Sequence, residues 1–169
     1  YERGISPKSL SIEHTILAAG CRNPEVLAFV HSQGGPIEHS IVDKCIDVDS
    51  FECLKFCVEC GEPLQVKHMA RVARHGNLPM MKFMFGSGCP WDKSVTQGAA
   101  QNNHLECLKF AHENGCEWDH FSFIAAVQGG HLDVVRYLHT NQCPWDESVC
   151  HTASFHGQRE CLAYLHESG

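Results

Sequence analysis

Three consecutive stretches, CPWDKSVTQGAAQNNHLECLKFAHENG (89–115), CEWDHFSFIAAVQGGHLDVVRYLHTNQ (116–142) and CPWDESVCHTASFHGQRECLAYLHESG (143–169), are one pattern written three times. The period is 27 residues, without a gap. Stepping back by the same interval places fainter copies at Glu62, Gly35 and Lys8. Six blocks are therefore expected, at 8–34, 35–61, 62–88, 89–115, 116–142 and 143–169, preceded by a short flank at 1–7. A fixed period of this length means a stack of like units, each burying its apolar side against its neighbours. Residues are best read by their place within the block.

Each block predicts two short helices and two turns. Asp92, Asp119 and Asp146 at position 4 are N-cap residues for the first helix. Small or apolar residues follow at positions 7, 8, 11 and 12, as in Val95, Ala99 and Ala100, which is one face of a helix. Gly76, Gly130 and Gly157 at position 15 supply a turn that tolerates positive φ. Asn23-Pro24 marks the start of the second helix near position 16 or 17. Its apolar stripe is expected at positions 19, 20, 22 and 23. Position 22 is aromatic in every block: Phe29, Phe56, Phe83, Phe110, Tyr137 and Tyr164. Gly at position 27 ends the helix in all blocks but the fifth.

Composition narrows the function. The formal charge of −7 is uneven: 35–61 carries −4 and 62–88 carries +3. That alternation lacks the basic stripe of a phosphate-binding track, so no nucleic-acid partner is expected. No apolar run reaches membrane-spanning length. The eleven cysteines look like a disulfide or metal framework until they are placed in the repeat. Cys89, Cys116 and Cys143 share position 1. Cys53, Cys107 and Cys161 share position 19 with Val26, Met80 and Val134, an exchange that means apolar packing. A reducing, intracellular setting follows from unpaired thiols.

Period alone also admits a leucine-rich repeat. No block shows the alternating strand that such a unit needs. Paired helices joined by Gly-His-Leu, as in AAVQGGHLDVVRYLHTNQ (125–142) and AAQNNHLECLKFAHENG (99–115), resemble the ankyrin repeat. The unit is about six residues shorter than the usual 33, and Cys-Pro-Trp-Asp stands in place of Thr-Pro-Leu-His. The ENGCPWD-type signature is similar to the short ankyrin repeats of protist and giant-virus proteins. The resemblance implies an all-α helical-repeat solenoid with its hairpin fingers trimmed to turns. It also implies protein binding through the concave face.

Comparing the blocks with one another locates the expected contact strip. Positions 5, 9 and 13 vary most and lie i, i+4, i+8 along the first helix, which lines the concave side in an ankyrin-like stack. In the last three blocks they are Lys93, Gln97 and Gln101, then His120, Ile124 and Gln128, then Glu147, His151 and Phe155. Ile124 and Phe155 stand out, because apolar residues at otherwise polar positions are expected to be covered. Trp91, Trp118 and Trp145 at position 3 alternate with Leu10, Ile37 and Leu64, which reads as packing.

Two other constellations carry candidate chemistry. Cys53, Cys57 and Cys60 lie at i, i+4, i+7 on one helix with Cys-x-x-Cys spacing, which admits zinc or redox chemistry, but a zinc site wants a fourth ligand. The histidines recur at positions 16 and 24 as turn and helix-end residues. No nucleophile–base pair or phosphate-binding loop appears, so neither catalysis nor a cofactor is expected. The expectation is a non-catalytic scaffold or adaptor with a protein partner. The alternative is a structural strut acting through its ends. Cys161, Leu162, Tyr164 and Leu165 predict an apolar last helix, to be covered by further repeats or by a partner.

Overall fold

The computed structural model describes residues 10–168, and these form helices alone: α1 (Ile12–Gly20), α2 (Pro24–Ser32), α3 (His39–Asp47), α4 (Phe51–Glu59), α5 (Val66–His75), α6 (Leu78–Gly86), α7 (Lys93–Gln101), α8 (Leu105–Glu113), α9 (His120–Gln128), α10 (Leu132–Thr140), α11 (Glu147–Phe155) and α12 (Arg159–Ser168). The flank at 1–7, the start of the first block at Lys8 and the last Gly169 lie outside the described residues. In every block the first helix begins at position 5 and the second at position 17. Plain turns join them, and no strand occurs among the described residues.

Local chemistry explains this constancy. The side chains of Asp92, Asp119 and Asp146 accept the N–H of Ser94, Phe121 and Ser148 at 2.9, 3.1 and 2.9 Å, capping α7, α9 and α11. Asn23 caps α2 through the N–H of Glu25, with Pro24 in the first helical position. The turns keep one backbone shape even where glycine is missing. At position 15, Gly76, Gly130 and Gly157 have φ near +70°, and Arg22, Asp49 and Asn103 take φ of 56°, 55° and 61° in the same place. At position 27, Gln142 adopts φ 60° where Gly34, Gly61, Gly88 and Gly115 have 77–90°.

The helices divide into two units between Leu64 and Gln65. In the first unit, α1 packs on α3 and α2 on α4. Ala18, Ala19, Leu27, Ile41, Val42, Cys45, Ile46, Cys53, Leu54 and Cys57 are buried between them. Leu17 and Phe29 stay largely exposed.

In the second unit α7 packs closely against both α5 and α9, whereas α6, α8, α10 and α12 touch one another lightly. Small residues allow the close approach: Ala73, Gly98, Ala99, Ala100, Ala126 and Ala153 are all fully buried or nearly so. Two sets of hydrogen bonds pin each block to the one before it. The thiols of Cys89, Cys116 and Cys143 donate to the carbonyls of Gln65, Asp92 and Asp119, 24 residues earlier, at 3.5, 3.2 and 3.4 Å. At position 16, His104, His131 and Gln158 reach back to the carbonyls of Arg74, Gln101 and Gln128, each 30 residues earlier and 3.0 Å away. Position 1 therefore supplies hydrogen-bond donors as well as packing.

Two expectations are corrected. Position 22 is not part of the inward stripe: Phe56, Phe83, Phe110, Tyr137 and Tyr164 are half-buried and Phe29 is 64 % exposed. These rings join a ladder on the flank instead. Trp91 stacks on Phe85 with centroids 4.4 Å apart and meets Phe110 edge-on, and one block later Trp118 stacks on His112 at 3.6 Å and meets Tyr137 edge-on. The last helix is also less bare than its composition implies. Cys161 and Leu165 are only 1 % exposed, and Leu162 and Tyr164 are half-buried. Arg136 covers the Tyr164 ring, and the Tyr164 hydroxyl lies 2.9 Å from His139 Nδ1.

Candidate protein-binding surface

The strip at positions 5, 9 and 13 is carried by the tightly packed layer of first helices, and each of α7, α9 and α11 begins and ends on a strip residue. Successive turns bring these three positions to one side of each helix. The structure treats the nine residues unequally.

On α7 the strip is tied down. Lys93 Nζ lies 3.0 Å from Asp119 Oδ2, and Gln97 Nε2 donates to Asp119 Oδ1 at 3.1 Å. Asp119 is already the cap of α9, so three donors converge on one carboxylate. Partial burial opposes its ionisation, but the hydrogen bonds from Lys93 and Gln97, the Lys93 charge and the Phe121 N–H outweigh this and hold it below its usual range. Gln101 keeps an exposed side chain, while its carbonyl accepts from His131.

On α9, His120 and Ile124 are half-buried, His120 lying against the Phe121 ring at 4.0 Å, and Gln128 is exposed. On α11, Glu147 and His151 are exposed and Phe155 is 86 % exposed, the most exposed large apolar side chain among the described residues. Gln128, His151 and Phe155 come together with Thr152 and His156 around an open hollow of about 460 Å³. The strip thus splits into a self-satisfied part on α7 and an open part between α9 and α11.

Two residues lining this hollow and one exposed ring on α9 escape comparison of the blocks. Thr152 and His156 stand one position past His151 and Phe155 and line the same hollow. Phe121, 54 % exposed at position 6, could have been found by the same test, since position 6 elsewhere is Glu13, Ser40, Lys67, Ser94 or Ser148.

A second hollow, of about 510 Å³, is lined by Trp145, Asp146, Glu147, Cys150, Leu165 and His166 on α11 and α12. Asp146 at its rim is held below the usual carboxylate range by the Ser148 hydroxyl and N–H. The three thiols at position 1 offer little nucleophilic chemistry. Burial pushes Cys89 up to about 11 and Cys116 and Cys143 up to about 12, so these side chains stay protonated at neutral pH.

Comparison with known proteins agrees with this architecture. A family model described as ankyrin repeats (3 copies) matches residues 96–169. Among solved structures, the chain is similar to the human ASB11 ankyrin repeat domain, with a TM-score of 0.78 and 16 % sequence identity over 92 % of this chain and 83 % of that one. No curated protein sequence matches it. Residues 96–169 thus match ankyrin repeats in sequence, and the described residues share the fold of an ankyrin repeat domain.

Proposed function

We propose that the chain is a non-catalytic adaptor that binds a protein partner through the first-helix layer, the concave side expected of the six repeats, in a reducing intracellular compartment. Ankyrin repeats are generally protein–protein interaction modules. The observation that carries this reading is Phe155, an aromatic ring left 86 % exposed at the edge of the Gln128–His151 hollow. An exposed ring beside hydrogen-bonding side chains is the composition of an interface anchor. Gln128, His151 and Phe155 form the centre of the contact, with Gln101, His120, Ile124 and Glu147 around it. Lys93 and Gln97 act mainly within the fold, through Asp119.

The test is affinity capture with the native chain, a Gln128→Ala/His151→Ala/Phe155→Ser variant, and a Lys93→Ala/Gln97→Ala variant, all matched for helicity. The adaptor reading requires a partner that is lost with the first variant and retained by the second. The alternative, a strut contacting its neighbours through its end, draws on the hollow beside Cys150 and Leu165. It takes precedence if every partner survives the first variant and one is lost on Cys150→Glu.

A further inference from the structure

Cys57 and Cys60 occupy the C-terminal end of α4, Cys57 in its last turn and Cys60 as its C-cap, with helical φ −73° and ψ −3°. They differ sharply in access: Cys57 is fully buried and Cys60 is exposed. We propose that this pair is a dithiol modification site, which a low-molecular-weight disulfide converts into an intramolecular Cys57–Cys60 disulfide.

Helical geometry puts Cα atoms three residues apart at about 5 Å, inside the usual range of about 4.4–6.8 Å for a disulfide. The β-carbons of such a pair stand about 5–6 Å apart, wider than the mean of about 3.8 Å in a relaxed bridge. Closing the bond therefore draws one residue inward. Cys60 can move, because it lies one residue past the helix and faces solvent. Cys57 has an established partner: the buried Cys45 thiol of α3 is hydrogen-bonded to it, and that bond, with burial, pushes Cys45 far up. Cys45 thus stays protonated, and its thiol holds the Cys57 side chain in place.

The chemistry balances in two displacements. Cys60, as thiolate, attacks the incoming disulfide, forms a mixed disulfide and releases one thiol. Cys57 then attacks Cys60 Sγ, and the bond to the small thiol breaks, so that the second thiol leaves and carries off the Cys57 proton. Two protein thiols are oxidised and one external disulfide is reduced to two thiols. Cys45 is a positioning residue in the second step. The consequence is local. Closing the bond disturbs the bonds from Cys60 N–H to the Phe56 carbonyl, 3.0 Å, and from Glu62 N–H to the Cys57 carbonyl, 3.1 Å. Glu62 is the residue whose carboxylate pairs with His39 Nδ1 at 2.7 Å.

The experiment incubates the folded chain with excess glutathione disulfide, quenches with an alkylating agent under denaturation, and weighs the tryptic peptide 56–67, which holds both residues. The expected product is that peptide lighter by two hydrogens and unalkylated. Cys60→Ser, a surface change, should leave Cys57 reduced and alkylated. Cys45→Ala should slow ring closure about tenfold, the loss of one hydrogen bond, without slowing the first step, and Cys45→Ser should restore the rate. A mixed disulfide that persists on Cys60, or a Cys45–Cys57 cross-link in its place, overturns the proposal. Equal closure rates in the native chain and Cys45→Ala remove the role given to Cys45.

Discussion

The imidazole of His131 lies 3.0 Å from the main-chain carbonyl of Gln101, thirty residues earlier, so that one repeat's turn is fastened to the end of its predecessor's first helix. Nε2 must carry the proton for this bond, whether the ring is neutral or charged. His131→Ala should cost about 1–2 kcal/mol, the usual loss for an unmade hydrogen bond in a half-buried place. His131→Gln should recover most of it, because Gln158 makes the same bond one repeat later. Urea unfolding midpoints of the two variants check this. Equal losses would mean that the ring's packing, not its hydrogen bond, is what matters.

Gln142 holds a left-handed conformation that glycine holds at the same position in other repeats. Gln142→Gly should stabilise the chain by about 1 kcal/mol. The reverse change, Gly115→Gln, should cost about as much, since nothing stands within 4 Å of the place its Cβ would take. Gly130→Ala should be worse than either, because the new Cβ would collide with the Gln158 side chain as well as strain the backbone. Thermal melting of the three variants gives the order directly.

Buried thiols give the array an alkaline limit. The folded chain holds Cys89 at about 11 and Cys116 and Cys143 at about 12, against 9.0 for an unperturbed thiol. Between those values the unfolded chain loses protons that the folded chain keeps. The stability from these groups is therefore complete below pH 9 and lost as pH rises toward 12. Denaturant midpoints should fall across that window, and a Cys89→Ala/Cys116→Ala/Cys143→Ala variant should start lower and fall less steeply.

Trp118 should matter for stability rather than for recognition. Its ring lies parallel to His112 at 3.6 Å and edge-on to Tyr137 at 6.2 Å. Trp118→Ala should destabilise by about 2–4 kcal/mol. Trp118→Leu should cost about half as much or less, because Leu10 and Leu64 fill that position in other repeats. Calorimetry with a parallel binding assay separates this from a contact role: a Trp118→Leu chain that melts normally but loses its partner contradicts it.

The period and the cap residues made the fold legible. Asp92, Asp119 and Asp146 cap the helices that their position implied, and Gly76, Gly130 and Gly157 turn where expected. Arg22 and Gln142 were silent, because nothing in those residue types announces a positive φ and the surrounding stack imposes it; Asp49 and Asn103 belong to the types that adopt it most readily. The flank ladder was hidden for a related reason. An aromatic residue at position 22 fits an inward stripe on a lone helix, and only the neighbouring block's ring at position 24 draws it outward. The strip was legible as a row and illegible as a site. The Lys93–Asp119 bond spans 26 residues of sequence, and no pattern within α7 signals it.

Two fastenings recur through the second unit at fixed offsets: 24 residues for the position 1 thiols and 30 for the turn side chains. Such a code is invariant to whole-block arithmetic. Duplicating or deleting one 27-residue block inside this unit re-forms each bond with an equivalent partner, whereas adding or removing any other number of residues breaks several at once. Gene-level copying can therefore lengthen the array without re-solving its packing, and each new block arrives with its own variable row. The chain's reach and the chemistry it displays are thus separately adjustable by descent.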